Sequence, residues 1–214
     1  MIRPLSARTT IYRCLLIAAL AVISACSILP KPETLTVYQL QAPSIERKTQ
    51  SHPLAWSLRI ATPYSSQVID SMRVLVLPEA NRVSAYSGAR WGDPAPVLLR
   101  NYLAAAFRAS GALASVSTDV SNGQADYELG GDLIAFQVEY VNDAPVVRIR
   151  LDATLTRDVN NRIISARSFE VRQAVDGTEV PKVIAAFEIA IDQLSVQLMQ
   201  WVSQQGAGSA TTKK

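Results

Sequence analysis

In VVRIRLDATLT, Val146 to Thr156, apolar and polar side chains alternate without a break from Val147 on. Val147, Ile149, Leu151, Ala153 and Leu155 fall on one side, and Arg148, Arg150, Asp152, Thr154 and Thr156 on the other. Successive side chains of a strand point to opposite faces, so the run specifies a sheet with one dry and one wet face. A helix would scatter the same apolar residues around its circumference. A dry face needs a cover, and the last periodic segment offers one. From about Thr178 to Val202 the residues Val180, Ile184, Phe187, Ile191, Leu194, Leu198 and Trp201 recur at spacings of four and three, a single helical stripe. Such a stripe also suits a coiled-coil partner, but packing across the sheet is the reading that uses both features.

The neighbouring segments extend the sheet. ADYELGGDLIAFQVEY precedes the alternating run and RIISARSFEVRQAV follows it, with turn residues at Asn142 to Pro145 and Asp158 to Asn161, which predicts an antiparallel meander. In the earlier strand the apolar phase moves from odd positions (Tyr127, Leu129) to even ones (Ile134, Phe136, Val138, Tyr140), and a β-bulge at Gly130-Gly131 would absorb the shift. Further upstream, LTVYQL, LAWSLRIATP and RVSAYS read as strands, and RVLVLP as a central strand covered on both faces. The first helix follows DPAP. Asp93 is placed to cap it, Pro94 suits its first position, Leu98, Leu99, Tyr102, Leu103, Ala105 and Ala106 line one side, and Gly111 ends it. The expected fold class is α+β: a mixed, largely antiparallel sheet with two long helices packed on one face.

The amino-terminal end predicts a different fate for its own residues. LIAALAVISACS, Leu16 to Ser27, is too short to span a bilayer core, which needs about 20 apolar residues. Arg3, Arg8 and Arg13 precede it with no acid among them, the order of an export signal. Ile23-Ser24-Ala25-Cys26 resembles the lipobox of bacterial lipoproteins, in which the cysteine thiol takes a diacylglyceryl group before cleavage. The chain is therefore read as a signal peptide at 1–25, a lipidated tether at 26–34, a domain at 35–202 and a flexible tail at 203–214. Two or three acyl chains hold a protein essentially permanently, since each buried methylene contributes about 0.8 kcal/mol. The tether SILPKPET spans at most about 26 Å when fully extended. Ser27 after the cysteine, in place of Asp, implies sorting to the outer membrane by resemblance to lipoproteins of that type.

Loss of the leader changes the charge argument. The whole chain carries a net charge of +3, but its first 25 residues hold three arginines and no acid, so the mature chain is formally neutral. A general nucleic-acid surface is excluded on that count. Of the two cysteines, Cys14 leaves with the leader and the Cys26 sulfur takes the lipid, so no disulfide forms within the mature chain and a hydrophobic core must hold it.

Catalytic motifs are missing. His52 is the sole histidine and no G-x-S-x-G surrounds a serine. No H-E-x-x-H, C-x-x-C, phosphate loop or dinucleotide glycine motif occurs, so neither a metal nor a cofactor is expected. Asp126, Glu128 and Asp132 are near one another along one strand, which the wet face of a sheet explains. Two sets of residues are candidates for an interface. Arg148 and Arg150, with Arg167 and Arg172 on the next strand, are either a guanidinium surface for carboxylates or phosphates or an ordinary solvated face. Tyr86, Arg90 and Trp91, in the loop YSGARWGDPAP, are either an interface or, for Trp91, a plug under the following helix.

The segment RVLVLPEANRVSAYSGARWGDPAPVLLRNYLAAAFRASG, with VYQL before it and ADYELGGDLIAF after it, resembles the ABC-type transport auxiliary lipoproteins, the PqiC-like partners of MCE (mammalian cell entry) transport systems. The resemblance runs from Cys26 to about Val202. It implies an envelope lipoprotein that works with an MCE-domain lipid-binding protein, a permease and an ATPase to move phospholipids or related hydrophobic compounds between the two membranes. Cys26 is the one site residue it transfers, ring-like self-association is consistent with it, and it supplies no catalytic residue. The segment between Pro78 and Arg90 is short beside members that carry a longer hydrophobic insertion there. Two other classes stay open on residues alone: an activator or scaffold of cell-wall synthesis, and an envelope hydrolase using His52.

Overall fold

The computed structural model describes residues 34–43, 54–121 and 123–210. The leader, Cys26, the tether up to Thr34, and His52 lie outside them. The described strands are β1 (Thr36–Tyr38), β2 (Leu54–Ile60), β3 (Tyr64–Ser65), β4 (Arg73–Glu79), β5 (Arg82–Trp91), β6 (Leu113–Thr118), β7 (Tyr127–Val141), β8 (Ala144–Arg157) and β9 (Arg162–Ala174). Helix α1 (Ala95–Ser110) lies between β5 and β6, and α2 (Val180–Ala210) follows β9.

All nine strands belong to one sheet organised around β7. One edge of β7 pairs with β8 along its whole length, and β8 pairs with β9, giving the expected antiparallel meander. The other edge is shared end to end by three short parallel partners. β2 pairs Leu58 to Ile60 with Tyr127 to Leu129, β3 pairs Tyr64 and Ser65 with Asp132 and Leu133, and β4 pairs Val76 and Leu77 with Val138 and Glu139. Beyond β4 come β5, antiparallel, and β1, parallel. Beyond β2 comes β6, parallel. The long ladders are antiparallel and the parallel ones are brief, so the sheet is mixed and mostly antiparallel and the fold is α+β.

The dry face follows the alternation in β8: Val147, Ile149, Leu151, Ala153 and Leu155 are all buried. Phe169 and Val171 of β9 continue it, and α2 lies on β8 and β9 with Phe187, Ile191, Leu194 and Leu198 wholly buried. The stripe therefore packs on this chain's own sheet. Helix α1 packs on β2, β6 and α2. Its carboxyl end is closed by Gly111 at φ 65°, whose N–H donates to the Arg108 carbonyl, the left-handed cap that glycine adopts without Cβ strain. Helix α2 runs on past Val202 to Ala210.

Three local expectations are corrected. The bulge in β7 is not at Gly130-Gly131 but between Leu133 and Ala135, opposite Leu151 and Arg150. There Ile134 is turned outward, 45% exposed, and Phe136 and Val138 take over the dry face. Gly130 and Gly131 instead stand where β7 exchanges β2 for β3 as its neighbour. At the start of α1 the cap residue is Pro94, without a side-chain cap, and its carbonyl accepts from the N–H groups of Val97 and Leu98 at 2.9 and 3.0 Å. Asp93 is not used, and the Ala95 N–H finds the Ser71 carbonyl at 3.3 Å. Finally, Tyr86 to Trp91 is not a loop. It forms the second half of β5, with Gly88 at φ 67° within the strand.

Candidate functional site

The wet face of β7, β8 and β9 gathers three of the four arginines that the sequence marks, Arg148, Arg150 and Arg172. Register sets Arg148 opposite Gln137 on one side and Arg172 on the other, and Arg150 opposite Glu170. Two guanidinium groups facing each other across a ladder repel. Here two carboxylates intervene. Arg148 Nη1 donates to Glu139 Oε1 at 3.0 Å and Nη2 to Glu170 Oε2 at 2.9 Å, while Arg172 Nε donates to Glu170 Oε1 at 2.8 Å. Gln137 Nε2 also donates to Glu139 Oε1, at 2.9 Å. The hydrogen bond to Glu170, with that to Glu139 behind it, holds the Arg148 guanidinium above its usual pKa despite partial burial. The reciprocal bonds from Arg148 and Arg172 hold the Glu170 carboxyl below its usual value. Arg150 pairs with Asp152 at 3.3 Å, and Asp152 also accepts from the Ser168 hydroxyl. Arg167 is turned to the opposite face: it stands across from Ala153 and lies over the Phe169 ring, 5.0 Å from its centroid, so it does not join the guanidinium surface that the sequence suggests. The arginines of this face are thus committed to one another's acids: it is a patterned, internally neutralised surface.

Tyr86, Arg90 and Trp91 are separated by the alternation of β5. Trp91 points inward, 0% exposed, and packs edge-on against Phe136 at 5.8 Å and Phe187 at 5.2 Å, which stack on each other at 4.9 Å. An interface contact by Trp91 is therefore replaced by a role in the core, where it ties β5 to β7 and α2. Tyr86 is half-buried, and burial together with the neighbouring Tyr140 hydroxyl pushes its own hydroxyl up to about 12. Arg90 is exposed on the opposite face. The register of β4 and β5 adds a residue that sequence reading passes over: Arg73 stands directly across from Arg90. No motif marks it, and only the strand pairing reveals it.

The carboxylates of the amino-terminal half of β7 do not converge on a common point. Asp126 accepts from the Ser57 backbone N–H and hydroxyl, both at 2.8 Å, and Glu128 accepts from Arg59 Nε at 2.7 Å. Asp132 is exposed on the strand. No group of three or more metal-ligating side chains is found among the described residues. A groove of about 240 Å³ is lined by Gln39, Leu40, Pro43, Leu98, Asn101 and Tyr102 among others, below the roughly 300–1,000 Å³ typical of small-molecule sites. No described helix is long and apolar enough to cross a membrane.

A helix-covered sheet with a charged outer face defines an α+β domain. The model of the ABC-type transport auxiliary lipoprotein component matches residues 38–199, and the chain belongs to this family. Among solved structures it is similar to protein XCC0632 from Xanthomonas campestris, at 30% identity and a TM-score of 0.75, over 83% of this chain and 99% of that one. A second solved protein, described as uncharacterized, shares the fold at 16% identity and a TM-score of 0.61, over 79% of this chain and 99% of its own. The uncharacterized protein bll6063 of Bradyrhizobium diazoefficiens is 26% identical over 148 residues, 69% of this chain, and the match spans only 40% of that relative's length.

Proposed function

We propose that the protein is a non-catalytic, lipid-anchored docking component of an MCE-type ABC transport system that moves phospholipids or related hydrophobic compounds across the cell envelope. It is held at the outer membrane by acyl chains on Cys26 and faces the periplasm. The observation that carries this reading is the family match over residues 38–199 immediately downstream of the Ile23-Ser24-Ala25-Cys26 segment. The geometry supports a surface role: the dry face is filled by α2 and by Trp91, Phe136 and Phe187, and the described groove is smaller than a ligand pocket of ordinary size. The wet face of β7 to β9 offers a fixed pattern of acids and bases of the kind that sets partner choice and encounter rate. Tyr86, Arg90, Arg148 and Arg150 remain the residues proposed to meet partners, with Trp91 supporting Arg90 from beneath.

The test is recovery of partners from detergent-solubilised membranes. Co-purification of an MCE-domain protein, a permease and an ATPase is expected. Recovery of a cell-wall synthase instead, with the transport subunits missing, refutes the assignment. An envelope phenotype abolished by His52→Ala alone would bring a hydrolase back into consideration.

A further inference from the structure

The fold contains three cross-strand arginine pairs, and it treats them differently: in the pair beside the β8–β9 turn, Arg157 lies over the Tyr127 ring, 5.9 Å from its centroid, with Arg162 across from it. Arg148 and Arg172, paired on β8 and β9, share Glu139 and Glu170 as partners. Arg73 and Arg90, paired on β4 and β5, are both exposed, and among the described residues neither side chain has an ion-pair or hydrogen-bond partner. Facing like charges with no counter-ion are unfavourable, so the Arg73–Arg90 pair is open to an anion from outside the described residues. The parallel register of β1 and β5 places Val37 next to Arg90. Val37, Arg90 and Arg73 thus form a row across the outer face, with Leu35 just before the start of β1. Leu35 and Val37 are 53% and 47% exposed. Two guanidinium groups beside two exposed aliphatic side chains is the composition of a surface that rests in the headgroup region of a bilayer.

We infer that the β1 edge, through Arg73, Arg90, Val37 and Leu35, seats the domain on the phosphates of anionic phospholipid headgroups. The inference rests on the acyl anchor proposed above. Leu35 is nine residues past Cys26, so at most about 30 Å of extended chain separates the patch from the acyl chains. The patch therefore contains the described strand that follows the anchor most closely along the chain. A guanidinium presents a planar fork of donors that matches phosphate oxygens, and two of them side by side share one headgroup or bridge two. The ends of the long hairpin would then differ in depth. Ile163, near the start of β9, belongs to the end of β7 that pairs with β2, and β4 joins β7 at the other end, near Val138.

The experiment uses the lipidated mature protein on vesicles of phosphatidylcholine, with or without phosphatidylglycerol, with a fluorophore on either Met72→Cys or Ile163→Cys and a quencher on the lipid headgroups. Flotation first reports whether the protein is anchored. Quenching is expected at position 72 and not at 163, only with the anionic lipid. It should weaken at high salt and fall at least about tenfold in Arg73→Glu/Arg90→Glu. Arg73→Gln/Arg90→Gln, melting like the wild type, should show an intermediate loss and keeps a folding defect from imitating the effect. Protein that floats but shows equal quenching at both positions, or quenching indifferent to anionic lipid and to the arginines, overturns the inference while leaving the anchor intact. So does loss of co-purifying transport subunits in the charge-reversed protein without any change in quenching, which would assign the patch to a protein partner. Protein that does not float refutes the anchor and the inference together.

Discussion

Gly131 lies so close to Asp152 on the paired strand that a Cβ at position 131 would stand 2.1 Å from the Asp152 carbonyl oxygen and 2.9 Å from the Ala153 Cα. Its φ of +132° is one that side chains rarely adopt. Gly130, one residue earlier, has room: the nearest atom to its would-be Cβ is 3.7 Å away. Adjacent glycines thus make opposite demands. Gly131→Ala is expected to destabilise the domain by about 3 kcal/mol or more, because backbone atoms must move and φ is strained. Gly130→Ala should be neutral or stabilising by up to about 1 kcal/mol through the unfolded chain. Urea denaturation of the pair decides it, and equal losses would contradict the geometry.

Trp91 seals the junction of β5, β7 and α2. Removing a buried aromatic side chain costs about 3–5 kcal/mol, and Trp91→Ala should fall in that range. Trp91→Phe keeps an edge-on ring against Phe187 and discards an Nε1–H that has no hydrogen-bond partner. Its cost should be only about 1 kcal/mol. Equal thermal shifts for the two variants would show that the ring contacts contribute little.

Tyr102 links the two helices by donating its hydroxyl to Asp192 Oδ1 at 2.7 Å. Burial, followed by that bond and the charges of Asp192 and Glu188, holds the phenol above its usual pKa. Its neutral form therefore contributes stability below about pH 10 that is lost at higher pH. Tyr102→Phe should cost about 1.5 kcal/mol, the worth of a hydrogen bond to a charged acceptor. The variant should also lose less stability than the wild type on going from neutral to strongly alkaline solution.

On the acid side, the Ser57 backbone N–H and hydroxyl together hold the Asp126 carboxyl below its usual value. A depressed carboxyl contributes stability that is present above the unfolded pKa of about 4 and is lost as pH falls through the lower folded value. Asp126→Asn should therefore lower stability at neutral pH and flatten the acid limb below pH about 4. Melting temperatures across that range provide the check, and an unchanged acid limb would remove Asp126 from the account.

The parts of the fold that sequence alone reveals are those governed by local period. Ile149 and Leu151 face inward because every second residue of β8 is apolar, and Phe187 and Ile191 face inward because they are four apart on α2. What depends on register is not legible in this way. The phase shift of β7 is visible in Phe136 and Val138, but its location at Ile134 is set by the pairing of its neighbours with Leu151 and Arg150, whereas Gly131, one of the two glycines that suggest it, answers to the closeness of β8. β5 reads as a loop from Tyr86 on because Gly88, Gly92 and Pro94 look like breakers. The inward Ala89 and Trp91 around an outward Arg90 are the signal that identifies the strand. Alternation places Arg148, Arg150 and Arg172 on one face but turns Arg167 to the other; the neutralisation of that surface requires Glu139, which is contributed by a different strand, and Arg73 is brought to Arg90 by register alone.

Strand β7 takes β2, β3 and β4 along a single edge, although all three precede it by dozens of residues. A polypeptide emerging amino end first has no site at which to register these segments until Tyr127 and the residues after it arrive. The pairings among β7, β8 and β9 are local, joined by short turns, whereas those of β2, β3 and β4 with β7 each close a loop of dozens of residues. A chain cut before Tyr127 would therefore leave β2, β3 and β4 without the strand that joins them into one sheet.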